Sequence, residues 1–309
     1  MSLKTNKRTI LAKTESTYGT DPTPTGSTNA VLLRNLSVVP LDGEFVNRDL
    51  IRGYFGNSET LVASTRIKLD FEVELAGSGT AGTAPAYATL LKACAMSETV
   101  NAGTSVVYTP ISSSIGSCTI YFNVDGVLFQ AQGCRGTFEI SITALQIPVI
   151  KFSFTGLYEA PTDAAAPTAV YTGWIKPEVA NTAHTTAFSL FSYSGYLQSM
   201  QFNLANEVIH RELIGYEAVE IVDRKPNGTF LIEAPTIAQK DYFSAAEAGT
   251  TGALSILHGS TGGNKVQLDA ANVSISGPSL QDDNGVQMLS IPFTVSPSSG
   301  NDDFTITVK

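Results

Sequence analysis

The chain has 309 residues, 43% of them hydrophobic and only 15% charged, with a net charge of −9. That length suits two domains of roughly 150 residues, each able to bury a core without disulfides or metals. The acidic balance excludes a basic phosphate-binding surface, and no stretch reaches the ~20 apolar residues of a membrane span.

Charge this sparse, against about 25% in ordinary soluble domains, points to uncharged surface covered by a partner. The three cysteines, Cys94, Cys118 and Cys134, are odd in number and fit no zinc or redox spacing, so folding in a reducing cytoplasm is expected. The first residues are basic but lead into no apolar core or cleavage site, so no secretory route is expected.

Residues 1–30, rich in Thr, Pro, Gly and Ser, read as an N-terminal arm with a short strand at Thr9–Ala12. A first β domain is expected over 31–158. Val31–Pro40, Arg66–Leu75, Val106–Pro110, Thr119–Val124, Val127–Gln132, Thr137–Ile142 and Pro148–Thr155 are short β-branched and aromatic runs. The alternation of Ile67, Leu69, Phe71, Val73 and Leu75 predicts a half-buried antiparallel strand. Asp125-Gly126 predicts a two-residue hairpin turn. Pro85–Met96 breaks the pattern, with Tyr87, Leu90, Leu91, Cys94 and Ala95 on one helical face and Pro85 in the first turn.

Residues 159–186 contain Pro161, Pro167 and Pro177 and little periodicity, and read as an interdomain linker. The only tryptophan, Trp174, lies within it, which suggests a linker pinned to a surface. A second β domain is expected over 187–309. Its strands are Phe188–Tyr193, Leu197–Leu204, Thr229–Glu233, Ala253–His258, Lys265–Leu268, Asn272–Ser276 and Met288–Val295, with turns at Asn227-Gly228 and Asn284-Gly285 and one helix at Ile237–Ala248.

The second half retraces the first. Glu44-Phe45-Val46-Asn47-Arg48-Asp49-Leu50-Ile51 reads against Glu207-Val208-Ile209-His210-Arg211-Glu212-Leu213-Ile214 at one constant offset, and only Asn47 against His210 is dissimilar. Phe71–Glu74 then reads against Phe230–Glu233 at an offset four residues smaller, so the second copy has the shorter loop. Each of these strands leads to the only helix expected in its half.

Motifs that could carry chemistry are weak. Gly77-Ser78-Gly79-Thr80-Ala81-Gly82 fits G-x-G-x-x-G between a strand and a helix, but no βαβ alternation follows and no acidic residue sits about 20 positions on in a second strand. A flexible strand-to-helix loop is the better reading. His184, His210 and His258 show no metal-ligand spacing and read as loop or strand-surface residues. Asp282-Asp283-Asn284-Gly285 lacks the Glu that closes a calcium loop and reads as a hairpin turn. No catalytic, cofactor or metal residues are expected. The repeated Arg48-Asp49 and Arg211-Glu212 pairs suit bidentate contacts with a neighbouring subunit, Arg48-Asp49 at the start of a long loop, Asn47–Thr65.

Seven stretches, taken together, resemble one family: ILAKTESTYGTDPTPTG, NRDLIRGYFGNSETLVAS, VELAGSGTAGTAPAYATLLKAC, FTGLYEAPTDAAAPT, ANEVIHRELIG, EAPTIAQKDYF and AGTTGALSILHG. They are similar to the major tail-tube proteins of long, flexible-tailed bacteriophages, above all those of Mu-like siphophages of Pseudomonas. The resemblance spans essentially the whole chain. It implies a mainly β fold of two tandem tail-tube domains, each a β-sandwich or rolled sheet flanked by one helix. It implies that three chains close into a pseudo-sixfold ring, that rings stack into a tube conducting DNA, and that the loop Asn47–Thr65 and the arm reach the next ring. Partners implied are further copies of the chain, a tape-measure protein, a tail terminator and a distal tail protein, in a virion assembled in the host cytoplasm. DNA would pass without specific binding through a neutral or acidic lumen.

The expected inter-subunit contacts are Arg48, Asp49, Arg52, Tyr54, Phe55, Arg211, Glu212, Arg224 and Trp174. The alternatives are the inner tube of a contractile injection system, whose subunits resemble single domains in sixfold rings, a β-rich receptor-binding protein, and a nucleotide-binding enzyme resting on Gly77–Gly82.

Overall fold

The computed structural model describes residues 2–309, which fold mainly as antiparallel strands joined by turns and irregular loops, with two short helices. In the first half these are β1 (Arg8–Thr14), β2 (Ala30–Val31), β3 (Arg34–Asn47), β4 (Thr60–Glu74), β5 (Met96–Asn101), β6 (Ser105–Pro110), β7 (Cys118–Val124), β8 (Val127–Thr143), β9 (Val149–Tyr158) and β10 (Thr162–Asp163), with helix α1 at Ala88–Ala93. The second half has β11 (Thr185–Leu190), β12 (Leu197–Asn203), β13 (Asn206–Leu213), β14 (Tyr216–Arg224), β15 (Asn227–Glu233), α2 (Tyr242–Glu247), β16 (Thr251–His258), β17 (Val266–Ile275), β18 (Ser279–Asp283), β19 (Val286–Val295) and β20 (Thr305–Val308).

The alternation seen in β4 is realised. Ile67, Leu69, Phe71 and Val73 are each at most 1% exposed, and of the residues between them Lys68 is exposed and Asp70 and Glu72 are partly exposed. Burying each such side chain contributes about 1.5–3 kcal/mol. β4 pairs with β9 from Arg66↔Leu157 to Glu74↔Val149, which sets Phe71 beside Phe152 and Phe154 with ring centroids 5.9 Å apart in both pairs. The second half builds its core likewise, with Phe230 stacked on Phe293 at 4.4 Å and Phe202 edge-on to Phe304 at 4.7 Å.

Main-chain pairing runs through both halves. In the first, the order is β2–β1–β7–β8–β9–β4–β3. The far end of β8, Glu139–Thr143, then pairs with Ser199–Asn203 of β12, from which the sheet continues through β15 and β19. The C-terminal strand β20 lies between β17 and β6, so the end of the chain completes a sheet edge of the first half. Closing β6 in this way removes an edge that would otherwise be open to other chains.

Several elements differ from expectation, each for a local reason. The segment read as an arm supplies β1, zipped along all of β7 with Ile10, Leu11 and Ala12 buried. Val127–Gln132 and Thr137–Ile142 form one strand, β8, because Gly133 at φ +57° absorbs a bulge inside it. Lys265–Leu268 and Asn272–Ser276 likewise lie on one strand, β17, except at their outermost residues. Helix α1 is shorter than Pro85–Met96, since Ala95 at φ +61° reverses the chain and Met96 opens β5. Helix α2 begins only after Asp241, whose carboxylate accepts from the Ser244 N–H as an N-cap, and Ile237 stays exposed.

Asn227-Gly228 is not a turn. Gly228 sits inside β15, where a Cβ would lie 2.0 Å from the Gln201 carbonyl oxygen and 2.5 Å from the Phe293 ring. The glycines of Gly77–Gly82 serve packing rather than a nucleotide. The Gly77 N–H donates to Asn264 Oδ1 at 2.8 Å, the Gly79 N–H to the Gly263 carbonyl at 3.0 Å, and a Cβ on Gly77 would meet that carbonyl at 2.0 Å. This loop is docked on the second half, not loose. Residues 159–186 carry little regular structure, and Trp174 pins them, its indole N–H donating to the Ala30 carbonyl at 2.9 Å. The three cysteines are free and buried, and burial pushes the Cys94 and Cys134 thiols up.

Candidate assembly interface

The repeated segment forms one hairpin in each half. In the first, β3 and β4 pair from Arg34↔Glu72 out to Asn47↔Thr60, and residues 48–59 form the loop. The run Thr60–Thr65, read from sequence as loop, is thus strand. It carries no alternating pattern, since Leu61, Val62 and Ala63 run together and Thr60–Ala63 is exposed on both faces. Phe45 faces Val62 and Val46 faces Leu61, all more than half exposed, and at the tip Ile51 and Phe55 reach 103% and 107% exposure. Apolar side chains this exposed on a projecting element mark a surface made to be covered.

In the second half the hairpin is β13–β14, paired only to itself. Its turn is two residues, Ile214-Gly215, and Gly215 takes φ +84°, a left-handed value that favours glycine. Ile214, the counterpart of Ile51, is 109% exposed, with Leu213 and Tyr216 beside it. The repeat therefore sets a fully exposed isoleucine at the end of both hairpins.

The charged candidates sit on these same elements. Arg48 Nη1 meets Glu59 at 2.8 Å across the first hairpin, and Arg211 Nη1 meets Glu220 at 3.5 Å across the second. Ion pairs this exposed are weak and screened by solvent, so they leave both arginines available to a partner's carboxylate. Asp49, Arg52, Tyr54 and Glu212 are all exposed. Tyr216 donates its hydroxyl to Glu220 at 2.6 Å, which raises the tyrosine's pKa and lowers that of Glu220.

Two candidates are instead committed within the chain. Arg224 donates from Nε to Asp303 at 2.9 Å, from Nη1 to the Ile111 carbonyl at 3.1 Å and from Nη2 to Asn301 at 3.3 Å. Its side chain is 12% exposed and that of Asp303 is 5% exposed, so the pair joins the root of the second hairpin to the C-terminal segment. Trp174 holds the linker, as described above.

A second set of anchors was not visible in sequence. Glu15 is buried and accepts four hydrogen bonds, from the Gly19 and Gly133 N–H groups and the Ser117 and Thr119 hydroxyls, at 2.6–2.8 Å. It thereby fixes the turn that carries Tyr18. The Tyr18 hydroxyl accepts from the Val219 N–H at 2.6 Å, Arg135 donates to the Val219 carbonyl at 2.9 Å, and the Arg135 guanidinium stacks 4.7 Å from the Tyr18 ring centroid. Burial pushes the Tyr18 pKa up to about 12, so its hydroxyl stays protonated. Buried Asn206 donates to the Cys94 and Gly136 carbonyls at 3.0 and 2.9 Å. Folding also places His210 3.0 Å from Glu217 beside Glu212, a grouping that spacing along the chain conceals.

The arrangement presents apolar tips and exposed charges for protein contacts. The family described as phage tail tube protein matches residues 5–295. No curated protein matches the chain. With nearly the whole length covered and an antiparallel fold ending in two exposed hairpins, the chain belongs to the phage tail tube protein family, a structural component of the virion that assembles into a tube and is not an enzyme.

Proposed function

We propose that three copies of the chain close into a ring of pseudo-sixfold symmetry and that rings stack through the hairpins into a tube conducting DNA during ejection. The carrying observation is the repeat itself: two hairpins at equivalent places, each ending in a fully exposed isoleucine, Ile51 and Ile214. Two tail-tube domains, 31–158 and 187–309, joined by 159–186, let three chains supply six equivalent positions. Arg48, Asp49, Arg52, Tyr54 and Phe55 from one hairpin, with Arg211 and Glu212 from the other, make the contacts between copies. Stacking of unlike faces does not close on itself and so grows a filament.

The net charge of −9 supports a lumen that phosphate does not adhere to. Tape-measure, tail-terminator and distal tail proteins of a Mu-like siphophage are the further partners, met during assembly in the host cytoplasm. Electron microscopy of the purified protein tests the reading. Tubes whose cross-section holds three chains are expected. Rings of six chains, or monomers at all concentrations, would overturn it.

A further inference from the structure

His210 and Glu212 are two residues apart on β13, so strand alternation sends both to one face. Glu217 stands directly opposite Glu212 in the β13–β14 register and joins them on that face. The ligating atoms of the three side chains all lie within 4.8 Å of one another, and His210 Nε2 is 3.0 Å from Glu217 Oε1. Two ligands bound to one zinc ion at about 2.1 Å stand roughly 3.0–3.5 Å apart. The His210–Glu217 pair already has that spacing, and Glu212, exposed and free to change rotamer, closes the remainder. The imidazole is held in place, its side chain only 2% exposed.

We infer that the β13–β14 hairpin binds one divalent transition-metal ion of the zinc class through His210 Nε2, Glu212 and Glu217, with a remaining position open to water. The donor set selects the ion. One imidazole and two carboxylates suit zinc, whereas magnesium and calcium favour oxygen ligands alone. The ion takes the Nε2 lone pair of the neutral ring, whose one proton then sits on Nδ1. It ties the two strands together one residue pair behind the Ile214-Gly215 turn. The site belongs to the second copy alone: the first hairpin has Asn47 for His210 and Asp49 for Glu212, and its pairing ends at Asn47↔Thr60, so no strand residue faces Asp49.

The test uses the full unassembled chain, so it stands apart from tube formation. Zinc is titrated against the protein in competition with a chromogenic chelator, with and without millimolar magnesium. One zinc per chain is expected, undisturbed by magnesium. Glu212→Gln, an exposed change that leaves the fold alone, is expected to weaken binding at least about tenfold, and His210→Asn to bring it to background. His184→Asn, which alters another histidine–carboxylate pair, Glu178–His184 at 2.9 Å, is expected to change nothing. Absence of stoichiometric zinc, binding that survives Glu212→Gln or His210→Asn, or loss on His184→Asn would overturn the site.

Discussion

Hairpin β3–β4 runs as two long strands from the sheet out to a twelve-residue loop (48–59), whereas β13–β14 is cut off from β12 and β15 and packs against β8 and β9. The divergence occurs at one point of the repeat, whose offset sets Pro40-Leu41 against Asn203-Leu204. In the first copy the register slips between Val39 and Asp42 and pairing resumes, steadied by Arg66 and Lys68 on Asp42 at 2.6 and 2.8 Å. In the second, Ala205 turns to φ +50°, Pro226 offers no N–H to its partner, and the outer strands swing free to make their own sheet. Duplicated sequence has thus produced one hairpin open on both faces and one clamped at its root.

A clamped tip loses little freedom when a partner covers it, while an open hairpin must be ordered by the contact itself. The open hairpin compensates with area: Phe45, Val46, Leu50, Ile51, Tyr54, Phe55, Leu61 and Val62 are all exposed. Replacing residues 48–59 by an Asn-Gly turn would give the first copy the short tip of the second. Electron microscopy should then find no tubes, while circular dichroism finds a folded chain with an unchanged melting temperature. Tubes of normal length would show that the open hairpin is dispensable.

Arg224→Ala attacks the other hairpin at its root. It leaves Asp303 buried without its cation, and losing one member of such a pair costs about 3–5 kcal/mol. Urea unfolding should report that loss. Arg48→Ala, which removes an exposed pair, should cost about 1 kcal/mol or less. Equal losses would mean that the second hairpin is not clamped.

Ile51→Ser and Ile214→Ser compare the tips directly. Covering an isoleucine contributes about 1.5–3 kcal/mol, which is roughly a ten- to hundredfold change in the critical concentration for tube formation. The change should be larger for Ile214, since only the half-exposed Leu213 and Tyr216 flank it, while the loop of Ile51 also carries the more exposed Tyr54 and Phe55. Light scattering against concentration measures both, and the reverse order would break the comparison.

Much of this contrast was legible in the chain. The alternation of Ile67 to Val73, the Asp125-Gly126 turn and the copy of Glu44–Ile51 at Glu207–Ile214 need only local patterns. The strands β13 and β14 were missed because they pair only with each other and mix polar and apolar side chains on their exposed surface, so no core-facing period marks them. β20 was missed because its pairing partners, β6 and β17, are about 200 and 40 residues away. The roles of Arg224 and Glu15 were hidden for the same reason. Their partners, Asp303 on one side and Ser117, Thr119 and Gly133 on the other, lie 79 and 102–118 residues off. The His210, Glu212 and Glu217 grouping needs the strand register as well as the spacing.

The smallest expected effect concerns the kink of the open hairpin. Hydrogen bonds from Lys68 first, and Arg66 next, lower the Asp42 pKa from 3.8 to about 2. A carboxylate depressed on folding stabilises the fold above its unfolded pKa, and that stabilisation is lost as pH falls through the folded value. Between about pH 4 and pH 2, therefore, the register slip at Pro40-Leu41 should loosen as Asp42 takes up its proton. The pair is partly exposed, so the effect should be about 1 kcal/mol or less. Amide exchange, corrected for the intrinsic pH dependence, should show faster opening of residues 43–47 and 60–65 below pH 4. Asp42→Asn should show the fast rates there already at neutral pH, with 206–224 unaffected. If both hairpins opened together, the kink would not be an independent hinge, and the two copies would share one stability.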